Sequence, residues 1–238
     1  MSAVDRALRG LRHMIATGRL VAGQRLPPES ELCDELDVSR GSLREAIRML
    51  AALRVIEPRH GSGTYVSQLR PEDIIRSLSL TVDLLPLTGL LELYEIRRVL
   101  ESHAAAQAAA KMAESGIRTL YSCIEEMEAT SDPAETFAPN QRFHAEIAKA
   151  GGNLAIEAML EVFRTRSHSY QVYDLPEGAQ IKRASDDDHR VIAEAIANRD
   201  PVAAATAAAA HAAHTERWLR GHLPDDGVPA SGVVGSVS

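Results

Sequence analysis

Aromatic residues are scarce in this chain: one Trp, three Phe and five Tyr, 4% of 238 residues. A core without large rings is filled by aliphatic side chains and alanine, which favours closely packed helices over a thick β-sandwich. Cysteine is nearly absent. Cys33 and Cys123 are far apart and have no CxxC spacing, which excludes a disulfide framework and a cysteine-rich zinc module and reads as two reduced thiols. No run of eighteen apolar residues occurs, so a membrane-spanning helix is not expected. The N-terminal stretch MSAVDRALRGLRHMIATG is amphipathic. It lacks an apolar signal core and a small-residue cleavage site, and a cytoplasmic location is expected.

Lysine is missing from the first seventy residues, which hold 11 Arg and 8 acidic side chains, about +3. The remainder holds 15 basic and 25 acidic side chains, about −10, and the two add to the chain's net −7. A mildly basic head on an acidic body fits a nucleic-acid-reading module joined to a module with another task.

The head has its own pattern. Val4, Leu8, Leu11 and Ile15 mark one face of a first helix that Gly18 ends. Pro27-Pro28 start a second helix, with Glu29 and Glu31 near its positive end. After a tight Asp37-Val38-Ser39 turn, a third helix runs from Ser39 to about Leu53. Val55-Ile56-Glu57 and Thr64-Tyr65-Val66 read as strands around a His60-Gly61-Ser62-Gly63 tip. That order is a helix-turn-helix with a β-wing. Ser39 is an N-cap type. Arg40, Arg44 and Arg48 project from one face of the third helix, while Leu43, Ile47 and Leu50 take another and pack inward. Such a helix suits the major groove. Ser39, Arg40, Ser42 and Arg44 lie in its first turns, and arginine donates two parallel hydrogen bonds to guanine. Arg48 is placed for a phosphate or for a salt bridge to Glu45 or Glu57. His60, Gly61 and Ser62 at the wing tip are expected along the DNA backbone or minor groove.

The body reads as all helix: one helix through Ile74-Ile75, Leu78 and Val82, then Leu90 to Met112, Ile117 to Ala129, and a helix opened by Asp132-Pro133 that ends before Gly151-Gly152. Pro139 is expected to kink that helix or delay its start. Asn153 caps the next, and further helices cover about 177–198 and 201–220, the last opened by Asp200-Pro201. Seven helices suit an antiparallel bundle. The fold class is therefore mainly α: a winged helix-turn-helix domain over 1–69, an antiparallel helical bundle over 70–222, and a Gly-, Pro- and Ser-rich tail at 223–238 that reads as disordered.

The stretches Gly18 to Gly23, Leu26-Pro27, Val38-Ser39-Arg40, Leu43-Arg44-Glu45-Ala46 and Gly61 to Val66 resemble the winged helix of GntR-family bacterial regulators. The helical remainder resembles the FCD-type ligand domain of one branch of that family. Glu95-Ile96-Arg97, Leu100-Glu101, Phe143-His144, Gly152-Asn153, His189 and His211 carry that likeness. Two departures stand out. Ser30 occupies a position where the family often has a DNA-contacting Arg, and Asn140 stands where its metal site usually begins with Asp.

Asn140 and His144 are one helical turn apart and share a face. His189 and His211 come from separate helices, with His214 an alternative to His211. Imidazole suits zinc or nickel, and the resemblance implies a divalent-metal site of Asn140, His144, His189 and His211. With no carboxylate in the set, the ion keeps its full charge and should draw an anionic ligand. Arg97 is placed as a second clamp on that ligand or as an ion-pair partner of Glu101. The resemblance implies a homodimer on a near-palindromic double-stranded operator, released by a small carboxylate or sugar acid, and no enzyme. Two alternatives stand beside it. A three-His metal can activate water, which turnover assays on carboxylates and esters would detect. The metal itself can be the signal, in which case operator release follows metal titration alone.

Overall fold

The computed structural model describes residues 1–82, 84–130, 132–168 and 177–221, with the side chains of residues 87, 133 and 166–168 excepted. The expected disordered tail lies outside the described residues. Two compact units are present, Met1–Leu78 and the chain from Ser79 on. No helix among the described residues is long and apolar enough to cross a membrane.

The first unit contains α1 (Ala3–Ala16), α2 (Glu29–Leu36), α3 (Arg40–Ala52), the strands β1 (Ile56–Arg59) and β2 (Gly63–Val66), and a short α4 (Pro71–Arg76). Ser2 and Asp5 close a reciprocal capping box on α1, which satisfies two of its free donors. Pro28 is the N-cap of α2 rather than its first residue. Asp37, in the left-handed region at φ 51°, ends α2 and turns the chain into α3. β1 and β2 pair antiparallel in the register Ile56 to Val66 and Arg59 to Gly63. Leu11, Leu32, Leu43, Leu50, Ile56 and Val66 close one core from every element of the helix-turn-helix and wing. That core fixes the angle at which the outer face of α3 is presented.

The second unit contains α5 (Ser79–Val82), α6 (Leu87–Lys111), α7 (Glu114–Glu128), α8 (Pro133–Ala150), α9 (Leu154–His168), α10 (Gly178–Ala197) and α11 (Pro201–Arg220). The single helix expected over 74–82 is instead α4 and α5. Ser77 donates its hydroxyl to the Ile74 carbonyl at 2.7 Å, and this side-chain bond competes with continuation of the helix. Pro139 does not delay α8, which starts at Pro133 under an Asp132 cap. Thr136, Pro139, Phe143 and Ile147 are all buried along one face, so packing offsets the missing backbone donor. Alanines 104, 105, 108 and 109 of α6 and 204 and 208 of α11 lie in the main core with Leu120, Ile124, Phe143 and Ile192. Their small side chains let α6 and α11 approach closely, which brings the faces of α6, α8, α10 and α11 toward one point.

Candidate DNA interface and candidate metal centre

The outer face of α3 is ordered from its first turn. Ser39 Oγ accepts the Ser42 N–H at 3.2 Å and lies 3.0 Å from Ser42 Oγ. Both hydroxyls are therefore oriented at the helix start. Arg40 is exposed and has no hydrogen-bonding or ionic partner among the described residues. Arg44 differs. Its Nε lies 3.0 Å from both carboxylate oxygens of Glu29, in the first turn of α2, and its Nη2 lies 3.0 Å from Oε2. The hydrogen bond to Glu29 raises the Arg44 pKa further above its ordinary value. Arg48 takes the salt-bridge option, 3.2 Å from Glu45. At the wing tip His60, Gly61 and Ser62 are exposed. Gly61 has φ +70°, a conformation that favours glycine. Ser62 Oγ lies 2.6 Å from the Tyr65 hydroxyl, which ties the tip to β2.

In the second unit His144 of α8, His189 of α10 and His211 of α11 converge. All three are buried, and one ring nitrogen from each falls within 4.8 Å of the others. Nε2 of His144 and Nε2 of His189 are 3.0 Å apart, and the three ring centroids are 4.6–5.2 Å apart. Burial drives the pKa of His144 well below the usual imidazole range, reinforced by the positive charge of Arg164. Burial does the same for His189. Both rings are thus held neutral, the form that ligates a metal. Of the two alternatives on α11, His211 joins the cluster. His214 lies outside it with Nδ1 2.7 Å from the Asp188 carboxylate, which also stands 3.4 Å from His211 Nδ1.

Asn140 supplies a second observation. Its Oδ1 is buried and accepts no hydrogen bond among the described residues. Such an orphan acceptor costs about 1–3 kcal/mol unless something satisfies it, and a cation does so. Asn140 lies one helical turn before His144 on α8. Three imidazoles and an amide oxygen suit a borderline divalent ion such as zinc or nickel, so the residues present fit the group.

Beside the histidines lies a buried charge cluster. Arg97 Nε and Nη2 lie 2.9 and 2.8 Å from Glu101 Oε1. Its guanidinium also sits 4.5 Å from the centroid of the Tyr94 ring. Arg164 Nη2 approaches the same Glu101 oxygen at 2.9 Å. That contact is off hydrogen-bond geometry, so this buried nitrogen has no hydrogen-bond partner among the described residues. Burial would raise the Glu101 pKa, but Arg164 and Arg97 outweigh it and hold it at about 2. Burial lowers Arg164 to about 10. A small cavity of about 10 Å³ touches Glu101, His144 and Arg164, room for roughly one water-sized species. Of the sequence-expected residues, Asn140 stands one turn before His144 on α8, and Arg97 is committed to Glu101. Arg164 was not foreseen. Nothing in Glu161-Val162-Phe163-Arg164 marks it, because which side of α9 faces α6 depends on packing.

Known proteins match this arrangement in both units. Residues 3–66 match the bacterial regulatory proteins of the gntR family, and residues 92–214 match the FCD domain. This chain belongs to the GntR family, in the branch that carries an FCD domain. The Exu regulon transcriptional regulator of Escherichia coli is 31% identical over 91% of this chain and 84% of that protein. The galactonate operon transcriptional repressor of the same organism is 27% identical over 92% of this chain and 98% of its own length. A solved GntR structure from Streptococcus agalactiae is 29% identical, covers 90% of this chain and 99% of that one, and superposes with a TM-score of 0.55. This GntR-family protein is thus a DNA-binding transcriptional regulator whose FCD unit is an effector-binding domain. The helix-turn-helix and wing are its DNA-reading part, and the His-lined region belongs to its effector domain.

Proposed function

We propose that this regulator is a dimeric repressor that leaves a near-palindromic operator when a small organic acid binds at a divalent ion, zinc or nickel. His144, His189, His211 and Asn140 hold that ion. The observation that carries the reading is the pairing of three converging buried imidazoles with an orphan amide oxygen one turn before His144. A ligand set without a carboxylate leaves the ion's +2 uncancelled in its own contacts. Arg97 and Arg164 add two positive charges, and Glu101 and Asp188, the latter 3.4 Å from His211 Nδ1, add two negative ones, so the site keeps a net positive excess. A carboxylate or sugar acid answers that excess. The galactonate operon governed by one relative is named for a sugar acid of this class.

The winged helix contacts one half-site, so two-fold symmetry of the protein calls for two-fold symmetry of the operator. Ser39, Arg40, Ser42 and Arg44 take the base edges, Arg48 a phosphate once it leaves Glu45, and His60, Gly61 and Ser62 the backbone at the wing. Release requires an effector that binds the two states of the dimer with different affinity.

Elemental analysis of protein loaded with zinc or nickel and then dialysed tests the reading. One ion per chain is expected in the wild type, and less than a tenth of that in His189→Ala. Sedimentation of the same samples is expected to give a dimer. Loaded wild-type protein without metal overturns the proposed centre and leaves DNA binding untouched.

A further inference from the structure

The wing is wider than its two paired strands. Arg25 forms an antiparallel bridge to Tyr65. The Leu26 N–H donates to the Thr64 carbonyl and the Val66 N–H to the Gln24 carbonyl, both at 2.8 Å. The segment before α2 therefore acts as a third strand on the outer side of β2. Residues directly opposite across a sheet share a face, and so do residues two apart on one strand. Arg25, Tyr65, Gly63 and Arg59 consequently belong to one face of the wing.

Gly63 is the reason this face can hold two guanidinium groups. A Cβ at Gly63 would stand 2.8 Å from Arg25 Nε and 3.1 Å from its Nη2. The missing side chain is the seat of the Arg25 guanidinium. Across the register, Arg59 pairs with Gly63, and its own guanidinium lies 4.3 Å from the centroid of the Tyr65 ring. Glu57, opposite Tyr65 on the same face, accepts from Arg59 Nη2 at 3.5 Å, and both side chains of that pair are exposed. Arg25 makes no hydrogen bond or ion pair among the described residues. Arg19, Arg44 and Arg48 of the unit are matched to Glu35, Glu29 and Glu45, whereas Arg25 shares its unpaired state with Arg40. Both wing arginines adjoin the tip, since Arg59 precedes His60 and Gly63 follows Ser62.

We propose that Arg25 and Arg59 form a phosphate clamp on the wing that grips the DNA backbone beside the wing tip. Arg25 is seated by packing with its N–H donors open, and Arg59 rests on the Tyr65 ring with one long, exposed contact to Glu57 that a phosphate can replace, which lowers the ordering cost of binding. The guanidinium fork matches two phosphate oxygens. The clamp reads no bases, so its removal weakens all sequences alike.

The probe is a random-sequence duplex of about 30 base pairs, with binding measured by anisotropy across a salt series. Each phosphate that the protein ceases to neutralise makes the slope of log affinity against log salt shallower by about 0.9. Arg25→Gln keeps a polar side chain but removes the charge and the guanidinium that sits over Gly63. It is expected to flatten the slope by about 0.9 per wing engaged, about 1.8 for a dimer, and Arg25→Gln with Arg59→Gln by about twice as much. Arg25→Lys is expected to retain the wild-type slope, because an ammonium still neutralises a phosphate. Arg19→Gln, at an arginine already tied to Glu35, is expected to leave the slope unchanged. A wild-type slope in Arg25→Gln overturns the proposal. So does an equal flattening in Arg19→Gln, which would make the effect one of bulk charge.

Discussion

The arginine–glutamate pairs at the two candidate sites of this protein are built oppositely, although the effector unit also has exposed pairs away from its site, such as Arg142–Glu126. In the DNA-reading unit Arg44 and Glu29 leave 60% and 40% of their side chains exposed. In the effector unit Arg97, Glu101 and Arg164 leave 4%, 6% and 11%. An exposed pair is screened by water and salt and contributes little to folding, so its arginine can exchange a carboxylate for a phosphate or a guanine at small cost. A buried pair has already been desolvated, and separating it strands a charge in a poor dielectric. The first arrangement suits a surface that must change partners, the second a scaffold that must hold its charge beside a cavity.

The strongest test of that contrast is Glu101→Ala. It leaves two buried guanidinium groups without a counter-ion, and the effector unit is expected to lose about 3–5 kcal/mol of stability. Denaturant unfolding followed by far-UV dichroism measures it. Acid should act in the same direction. The folded Glu101 pKa, about 2, lies below its ordinary value. Its contribution is therefore complete above the unfolded pKa of about 4.3 and is lost as pH falls toward 2. A Glu101→Ala protein as stable as wild type at neutral pH shows that the cluster is solvated and ends the comparison.

The second test moves to the metal centre. Asn140→Asp adds a formal negative charge to a set of neutral ligands. Metal should bind about tenfold more tightly, and a carboxylate effector about tenfold more weakly, because part of the ion's attraction is cancelled. Calorimetry with zinc, followed by galactonate as a representative sugar acid, reads both changes. Equal tightening of both removes Asn140 from contact with the ion.

The two units also differ in how far their sequence disclosed them. The helix-turn-helix and wing are set by local signals: the Ser39 cap, the Asp37 turn and the glycines at 61 and 63. Their residues act on the element that carries them, so position along the chain predicts position in space. The effector site depends on four helices meeting. Asn140 and His144 were legible as one turn of a single helix. The choice of His211 over His214 was not, because it rests on the rotation of α11 about its axis, set by the alanines that pack it on α6. Arg164 was invisible for the same reason. The Arg44–Glu29 contact also escaped the sequence, since it joins two helices across a turn whose angle the core decides.

The smallest expected effect is the sharpest probe of the exposed pair. Glu29→Gln removes the carboxylate that holds Arg44 and lies on the side of α3 meant for DNA. Two consequences have the same sign: Arg44 is freed, and a negative charge facing the phosphates is removed. Affinity for a random-sequence duplex should rise about two- to fivefold, and more at low salt than at high salt. Most of the change should vanish in an Arg44→Ala background, because then no guanidinium remains to release, and only the weaker phosphate repulsion persists. Glu29 also sits in the first turn of α2, where a carboxylate favours the helix end, so thermal melting of Glu29→Gln must be read alongside. A small drop in melting temperature with tighter DNA binding fits the exchange. Weaker binding by Glu29→Gln means that Glu29 orients Arg44 for the groove rather than competing with it, and the exposed pair is then as fixed in role as the buried one.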